Sequence, residues 1–182
     1  MGLASINKTE NKLVKLLILG DPKVGKTAFR KRFAGNNFDK LYFPTISIDC
    51  TNITDNKNHL AISVWDTAGN TDYLSAMKRF YQNTDGLILM YDLTNFDSFK
   101  NTVKWFLNFI SVGIKPSLEI AIIGNKHDLQ RNMRINEFHQ EKLRQYFIEN
   151  FGKFYNSLDF FEISVLTKEG LATAINFLIS NV

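Results

Sequence analysis

Short apolar runs alternate with amphipathic stretches along most of this chain, which is the pattern of a series of βαβ units. Two of the runs, at residues 87–91 and 119–123, are compact and continuous. Such runs are typical of strands buried on both faces of a parallel sheet. The complete set of predicted strands is 13–19, 46–54, 60–65, 87–91, 119–123 and 160–163. The pattern therefore predicts an α/β fold with a central, mainly parallel sheet and helices on both faces.

Helical periodicity occupies the stretches between these strands. The predicted helices are 27–34, 73–81, 98–112, 137–150 and 171–179. Asn136 is suited to cap the fourth helix and Gly152 to end it. Residues 55–58 are rich in turn formers, so they predict a hairpin between the second and third strands.

Size and composition indicate one domain, because the chain has 182 residues of which 45% are hydrophobic and 22% charged. We expect residues 1–11 to form a flexible extension and residues 12–182 to form a single, monomeric domain. No apolar run approaches the roughly 20 residues that cross a bilayer, and the N-terminus lacks the features of a signal peptide. The one cysteine, Cys50, cannot form an internal disulfide. These features predict a cytoplasmic protein.

The net charge of +4 raises the question of a nucleic-acid partner. The basic residues are scattered, and their densest cluster is only Arg30, Lys31 and Arg32. Nucleic-acid binding usually needs a basic stripe. We therefore interpret this cluster as the solvated face of a helix and expect no nucleic-acid partner. The three histidines are far apart in the sequence, without metal-ligand spacing, and we expect them to face solvent.

A phosphate-binding loop is the strongest motif. Residues 20–27, GDPKVGKT, match G-x-x-x-x-G-K-[ST] directly after an apolar strand and at the start of a helix. Backbone N–H groups of such a loop curl around phosphate oxygens, and the helix N-terminus adds partial positive charge. Lys26 would reach the β- and γ-phosphates, and the Thr27 hydroxyl would ligate Mg²⁺. An ordinary strand–turn–helix is the alternative, which this context makes improbable.

A second motif selects the base. Residues 122–128, IIGNKHD, place Asn125, Lys126 and Asp128 at the carboxyl end of a buried strand, where open α/β sheets bind ligands. The Asp128 carboxylate can accept two hydrogen bonds from guanine, whereas adenine would leave it unpaired. Asn and Asp also suit a simple turn, but that alternative becomes minor once the phosphate loop is present.

A third motif, residues 65–69 (WDTAG), follows another strand. Asp66 would hold Mg²⁺ through water, and Gly69 would offer its N–H to the γ-phosphate. With these three motifs in this order, the chain resembles the small GTPases of the Ras superfamily, most closely the Rab branch, from about residue 12 to 182. The resemblance implies a three-layer P-loop NTPase fold with a mainly parallel six-stranded sheet.

The resemblance also implies functional residues. It places Thr45 on the first switch as a Mg²⁺ ligand, so that the implied metal ligands are Thr27, Thr45 and Asp66. The implied catalytic residues are Lys26, Thr45, Gly69 and Asn70. The implied nucleotide-binding residues are Asp21, Pro22, Lys23, Val24, Gly25, Lys26, Thr27, Ala28, Phe38, Tyr42, Thr45, Gly69, Asn125, Lys126, Asp128, Ser164, Val165 and Leu166. The implied effector surface is Ile46, Cys50, Trp65 and Phe80.

The implied activity is that of a Mg²⁺-dependent GTP/GDP switch that binds effectors in its GTP state. An exchange factor and an activating protein are the other implied partners, and a role in vesicle traffic follows from the Rab likeness. The chain ends at Val182 without a prenylation cysteine. We therefore expect association with the cytosolic face of an endomembrane only if a lipidated tail exists.

Several positions depart from the family pattern near the γ-phosphate. Asn70 stands where the family has a glutamine that orients the attacking water, and its stem is one methylene shorter. A misplacement near 1 Å can cost on the order of 10² in rate, so slow hydrolysis is expected. Pro22 and Lys23 replace the Ser and Gly usual in Rab proteins. Pro22 cannot donate an N–H, and Lys23 is strained if its φ is positive.

Other departures lie away from the phosphates. Val165 and Leu166 replace the usual Ala and Lys beside the base, and Cys50 replaces a Phe of the effector surface. The stretch between Asp128 and Ser164 is longer than in a typical Rab. We interpret its residues 134–153 as a longer surface helix, with a partner surface as the alternative.

Two other functions remain open at this point. One is a scaffold that holds GTP but hardly hydrolyses it, favoured by Asn70, Pro22 and Lys23. The other is a P-loop kinase, which the Asn-Lys-x-Asp motif argues against.

Overall fold

The sheet has six strands in the order β2-β3-β1-β4-β5-β6 in a computed structural model that describes residues 11–37, 45, 48–69, 74–113, 117–132 and 135–181. The strands are β1 Lys12–Leu19, β2 Ile48–Asp55, β3 Leu60–Thr67, β4 Gly86–Asp92, β5 Leu118–Asn125 and β6 Tyr155–Glu162. β2 pairs with β3 antiparallel, and every other pairing is parallel. The hairpin prediction and the mainly parallel sheet are therefore confirmed.

Helices cover both faces of this sheet. They are α1 Lys26–Phe33, α2 Leu74–Met77, α3 Phe96–Ile110, α4 Glu137–Phe151 and α5 Leu171–Ser180. Residues of α1 and α5 pack in one apolar cluster with one face of the central strands. Residues of α2, α3 and α4 pack in a second cluster on the opposite face. The result is the expected three-layer architecture, with β4 and β5 buried along their whole length.

The ends of α4 show one prediction confirmed and one altered. The Asn136 side chain accepts a hydrogen bond from the His139 backbone, and the His139 ring accepts one from Asn136 N, which forms a capping box. At the other end, Gly152 follows the helix with an ordinary helical φ of −53°. The chain therefore continues into a 3₁₀ turn, Gly152–Phe154, and Gly152 does not end the helix by a left-handed turn.

The long segment before β6 is only partly a surface element. Phe147 and Phe151 of α4 are buried, and both rings lie 5.0 Å from the ring of Phe106 on α3. The inner face of α4 thus belongs to the core, while Phe138 on its outer face is exposed.

Three sequence predictions need correction. β6 begins at Tyr155, earlier than predicted. The sequence pattern missed its first residues because the strand is half-buried at the edge of the sheet and several of these residues are polar. The described part of the 73–81 helix is a short α-helix followed by a 3₁₀ turn, Lys78–Phe80. Of the histidines, only His59 is exposed: His127 lies beside Glu162 and Glu169, and His139 contacts the Phe96 ring.

No helix among the described ranges is long and apolar enough to cross a membrane.

Candidate functional site

The loop between β1 and α1 turns sharply at positions that suit glycine. Gly25 has a φ of 107°, and a Cβ there would lie 2.3 Å from Asn125 Nδ2, so a larger residue would clash. Lys23 has a φ of 64°. The positive φ on which the predicted strain at Lys23 depended is therefore present. The loop leads directly into α1, whose first residue is Lys26. Its backbone N–H groups therefore lie next to a helix N-terminus, as an anion site requires.

Lys26 is held inside this loop. Its side chain is almost fully buried, and Nζ donates to the carbonyl oxygens of Gly20 and Asp21 at 2.8 Å each. Burial lowers the pKa of Lys26 to about 8, although the charges of Asp66 and Asp21 oppose this shift. A buried ammonium held by neutral carbonyls is suited to an anionic ligand, because phosphate oxygens would supply the missing opposite charge.

Three oxygen-bearing side chains converge beside Lys26. Thr27 Oγ1 donates to Asp66 Oδ2 at 2.6 Å and lies 2.9 Å from Thr45 Oγ1. Asp66 is fully buried at the end of β3, and its Oδ1 has no hydrogen-bond partner among the described residues. Burial raises the pKa of the Asp66 carboxyl, while the Thr27 hydrogen bond and the charges of Lys26 and Arg30 oppose the shift. An unpaired buried carboxylate oxygen beside two hydroxyls is a donor set that fits Mg²⁺.

Gly69 closes against the phosphate loop. A Cβ at Gly69 would lie 2.5 Å from Pro22 N and 2.6 Å from Lys26 Nζ. Only glycine therefore allows the chain after β3 to approach the loop this closely.

The opposite end of the site is a hydrogen-bonded network. Asn125 Nδ2 donates to Val24 O at 2.8 Å, and Asn125 Oδ1 accepts from Val165 N at 3.1 Å. The Ser164 hydroxyl donates to Asp128 Oδ1 at 2.5 Å. Asn125 thus joins the phosphate loop to the segment after β6, and Ser164 fixes the orientation of the exposed Asp128 carboxylate.

Lys126 and Arg32 make further contacts at the base end that the sequence did not predict. Lys126 Nζ forms an ion pair of 2.5 Å with Asp92 at the end of β4. Arg32 on α1 donates from Nε to Val165 O and from Nη2 to Leu166 O, at 3.1 Å each. Leu166, which replaces the lysine usual in the family, is 45% exposed, so this position is open to solvent.

The interpretation of Arg30, Lys31 and Arg32 as a solvated face was wrong. Arg30 is 7% exposed and lies against the Asp66 side of the site, while Arg32 is half-buried. Their partners come from distant parts of the chain, so helical periodicity alone could not reveal them.

α3 also contributes to the site, which the motifs gave no sign of. Trp105 Nε1 donates to Asp21 Oδ1 at 2.8 Å, and Asn101 Nδ2 donates to Asp21 Oδ2 at 2.7 Å. Both oxygens of the Asp21 carboxylate are therefore held by α3. This braces the phosphate loop against the opposite helical layer.

The predicted effector surface is described in part. Trp65 and Phe80 pack with ring centroids 5.7 Å apart, and Cys50 lies opposite Trp65 in the β2–β3 register. Lys15 Nζ lies 4.9 Å from the Trp65 ring. These relations bring residues of β1, β2 and β3 and the Lys78–Phe80 turn together around Trp65. The predicted site residues Phe38, Tyr42, Ile46 and Asn70 lie outside the described residues.

A six-stranded, mainly parallel sheet with this loop after its first strand defines the class of P-loop nucleotide-binding proteins. The profile of the Ras family matches residues 15–182, so the chain belongs to the Ras family. It is similar to Ras-related protein Rab-13 of Mesocricetus auratus, with 31% identity over 94% of this chain and 80% of that protein. It is also similar to Ras-related protein Rab-27B of Bos taurus, with 30% identity over 92% of this chain and 78% of the relative. The protein is a Rab-like small GTPase.

Proposed function

We propose that this protein is a magnesium-dependent switch that binds effectors when it holds GTP and releases them after hydrolysis. The observation that supports the proposal most strongly is the convergence of Thr27, Thr45 and Asp66 beside the buried Lys26. Lys26 lies where it would bind the β- and γ-phosphates, and Thr27, Thr45 and Asp66 would hold Mg²⁺. The metal would supply charge neutralisation for the phosphates. Thr45 and Gly69 belong to the segments that the γ-phosphate would order.

The base end supports a preference for guanine. Ser164 orients the Asp128 carboxylate, which is free on its outer side to accept two hydrogen bonds from guanine N1–H and the exocyclic amine. Asn125 positions the surrounding backbone, and Lys126 packs beside it through its ion pair with Asp92. Adenine presents no matching pair of donors, so its complex would leave the carboxylate unpaired.

We propose that intrinsic hydrolysis is slow. Asn70 carries the amide that would orient the attacking water, on a stem one methylene too short for the position of the family glutamine. Pro22 offers no N–H on the γ-phosphate side of the loop, and its nitrogen lies against Gly69. Asn70 would place its amide away from the attacking water, and Pro22 removes one donor from the loop, so charge in the transition state would be stabilised less.

The proposal is tested by phosphate release from bound GTP under single-turnover conditions, together with affinities for GTP, GDP and ATP with and without Mg²⁺. We expect tight, Mg²⁺-dependent binding of GTP and GDP, weak binding of ATP, and slow but measurable release of phosphate. A preference for ATP would overturn the assignment. Tight GTP binding with no phosphate release would instead indicate a nucleotide-held scaffold, which the positive φ of Lys23 and the Pro22 substitution favour.

The cellular role is part of the same proposal. We propose that residues 12–182 act as one monomeric domain in vesicle traffic, in the cytoplasm and, if a lipidated tail exists, on the cytosolic face of an endomembrane. The Rab relatives and the Trp65–Phe80 surface support this role. Imaging of a fluorescent fusion locked in its GTP state should show membrane structures. A uniform cytosolic distribution in both nucleotide states would contradict the membrane role.

A further inference from the structure

Arg30 is a buried cation for which the proposed switch mechanism has no role. It lies on α1 one turn after Lys26 and Thr27, with 7% of its surface exposed. Its Nη2 donates to the Asp49 carboxylate and its Nη1 to the Thr51 hydroxyl, both on β2. Burying a guanidinium is costly unless it is paired. The position therefore calls for an electrostatic explanation.

The explanation lies in two carboxylates that face each other across the hairpin. Asp49 on β2 is directly opposite Asp66 on β3 in the antiparallel register. Like charges in directly opposed positions destabilise a strand pair. Arg30 lies between them, with its Nη2 on Asp49 and its Nε 3.9 Å from Asp66 Oδ2. One guanidinium thus offsets part of the charge of both carboxylates.

One polar atom of Arg30 and one of Asp66 have no hydrogen-bond partner in this region. Within the described residues, its Nε and the Oδ1 of Asp66 are both buried without a hydrogen-bond partner. The Nε–Asp66 Oδ2 contact, at 3.9 Å, is a charge interaction and not a hydrogen bond. The other carboxylate oxygen, Oδ1, is the one that is left for a further ligand. A cation bound at Asp66 would nevertheless lie next to the fixed positive charge of Arg30.

We propose that Arg30 is a positioning residue that acts as a resident cation at the proposed metal site, lowering its affinity for Mg²⁺ and stabilising its metal-free form. This inference rests on the proposed nucleotide and metal binding. Affinity for a divalent cation depends on the net negative charge that its ligands present. Because Arg30 supplies positive charge where Asp66 would meet Mg²⁺, nucleotide retention should require a higher free Mg²⁺ concentration than it would with an apolar residue at this position.

The test measures release of a fluorescent GDP analogue across a series of buffered free Mg²⁺ concentrations, which gives a Mg²⁺ midpoint for each variant. Arg30→Met keeps an unbranched side chain but removes the charge, and should lower the midpoint about tenfold. Arg30→Lys keeps the charge and should stay within about threefold of the unaltered protein. Lys142→Met, which removes an exposed charge on α4 distant in sequence from this hairpin, should leave the midpoint unchanged.

A variant of the partner gives the opposite sign. Asp49→Asn removes one of the two carboxylates and leaves Arg30 in place, so the Mg²⁺ midpoint should rise a few-fold. This variant changes an exposed side chain, so it remains informative even if Arg30→Met does not fold. Loss of packing alone would weaken Mg²⁺ binding in Arg30→Met, whereas the proposal expects it to become tighter.

A second measurement needs no nucleotide. Urea denaturation in EDTA should show a lower midpoint for Arg30→Met than for Lys142→Met, because the facing carboxylates lose their shared cation. If the midpoints of GDP release are the same in Arg30→Met and the unaltered protein, the inference is wrong. If GDP release is independent of Mg²⁺ in the unaltered protein and in every variant, the proposed metal site itself is wrong.

Discussion

At the phosphate end of the site, charged side chains are buried with part of their bonding capacity unused, whereas at the base end the buried polar groups are paired. Lys26 and Asp66 are almost completely enclosed, and Asp66 Oδ1 has no partner among the described residues. Asn125 and Ser164 are enclosed to a similar degree, yet their side chains donate to or accept from neighbouring loops. A polar atom without a hydrogen-bond partner is costly to bury, so such atoms mark where a ligand would contribute most to binding.

The contrast separates two kinds of contribution to binding. Charges at the phosphate end would govern the strength of binding and its dependence on Mg²⁺. Hydrogen bonds at the base end would govern which nucleotide is chosen, because they orient one carboxylate rather than add charge. Substitutions at the two ends should therefore differ in kind as well as in size.

The largest effect is expected from Lys26→Met. This change removes the buried ammonium that would bind the phosphates, and charge-assisted hydrogen bonds contribute roughly 1.5–3 kcal/mol each. Affinity for GTP and GDP should fall about a thousandfold, as measured by titration calorimetry. Lys100→Met on α3, an exposed lysine paired with Asp97, serves as the control and should bind normally. Retained affinity in Lys26→Met would show that the phosphate end does not depend on buried charge.

A smaller effect, and one of a different kind, is expected from Asp128→Asn. The amide cannot accept both guanine hydrogen bonds, so GTP affinity should fall about a hundredfold while the weak affinity for ATP should not fall. Ser164→Ala removes only the hydroxyl that orients Asp128 and should cost about tenfold. Competition binding with GTP, inosine triphosphate and ATP measures these ratios. Equal losses for all three nucleotides would remove the distinction between the two ends.

Asn70→Gln should accelerate hydrolysis at the phosphate end without altering nucleotide affinity. Restoring the longer stem should raise the single-turnover rate of phosphate release about tenfold, since positioning errors near 1 Å cost up to about 10². GTP and GDP affinities should stay unchanged, which provides an internal control. An unchanged rate would show that Asn70 does not limit hydrolysis.

The smallest effect is expected from Trp105→Phe. The ring is mostly retained, but the hydrogen bond to Asp21 is lost, and the half-buried Asp21 carboxylate is left without that donor. The free energy of unfolding should fall by about 2 kcal/mol, with GDP affinity reduced only a few-fold. Urea denaturation followed by circular dichroism measures the first, and calorimetry the second. Unaltered stability would show that α3 does not brace the loop.

Much of the fold could be predicted from local pattern. β4 and β5 are continuous apolar runs, and the turn formers before Leu60 mark the hairpin, so these strands follow from residues near one another in sequence. β6 was placed late because an edge strand is only half-buried and its first residues are polar. Local pattern therefore works best where burial is complete.

The site was predictable only where a motif carries it. The phosphate loop and Asn-Lys-x-Asp are contiguous, and contiguous residues keep their spacing in any fold. The contacts of Arg30 and the Asp21–Trp105 contact depend on side chains that are distant in sequence and meet only in the folded chain. A basic helix residue in sequence cannot be assigned to solvent or to a buried carboxylate without knowing what packs against it.

The Asp21–Trp105 contact also gives the protein an internal optical reporter. The chain has two tryptophans, and they lie in different places: Trp105 is buried against the phosphate loop, and Trp65 is part of the surface with Phe80. Indole emission depends on the polarity and hydrogen bonding around the ring. A protein with Trp65→Phe would therefore report loop rearrangement through Trp105 alone, so nucleotide exchange could be followed in real time with unlabelled GDP and GTP.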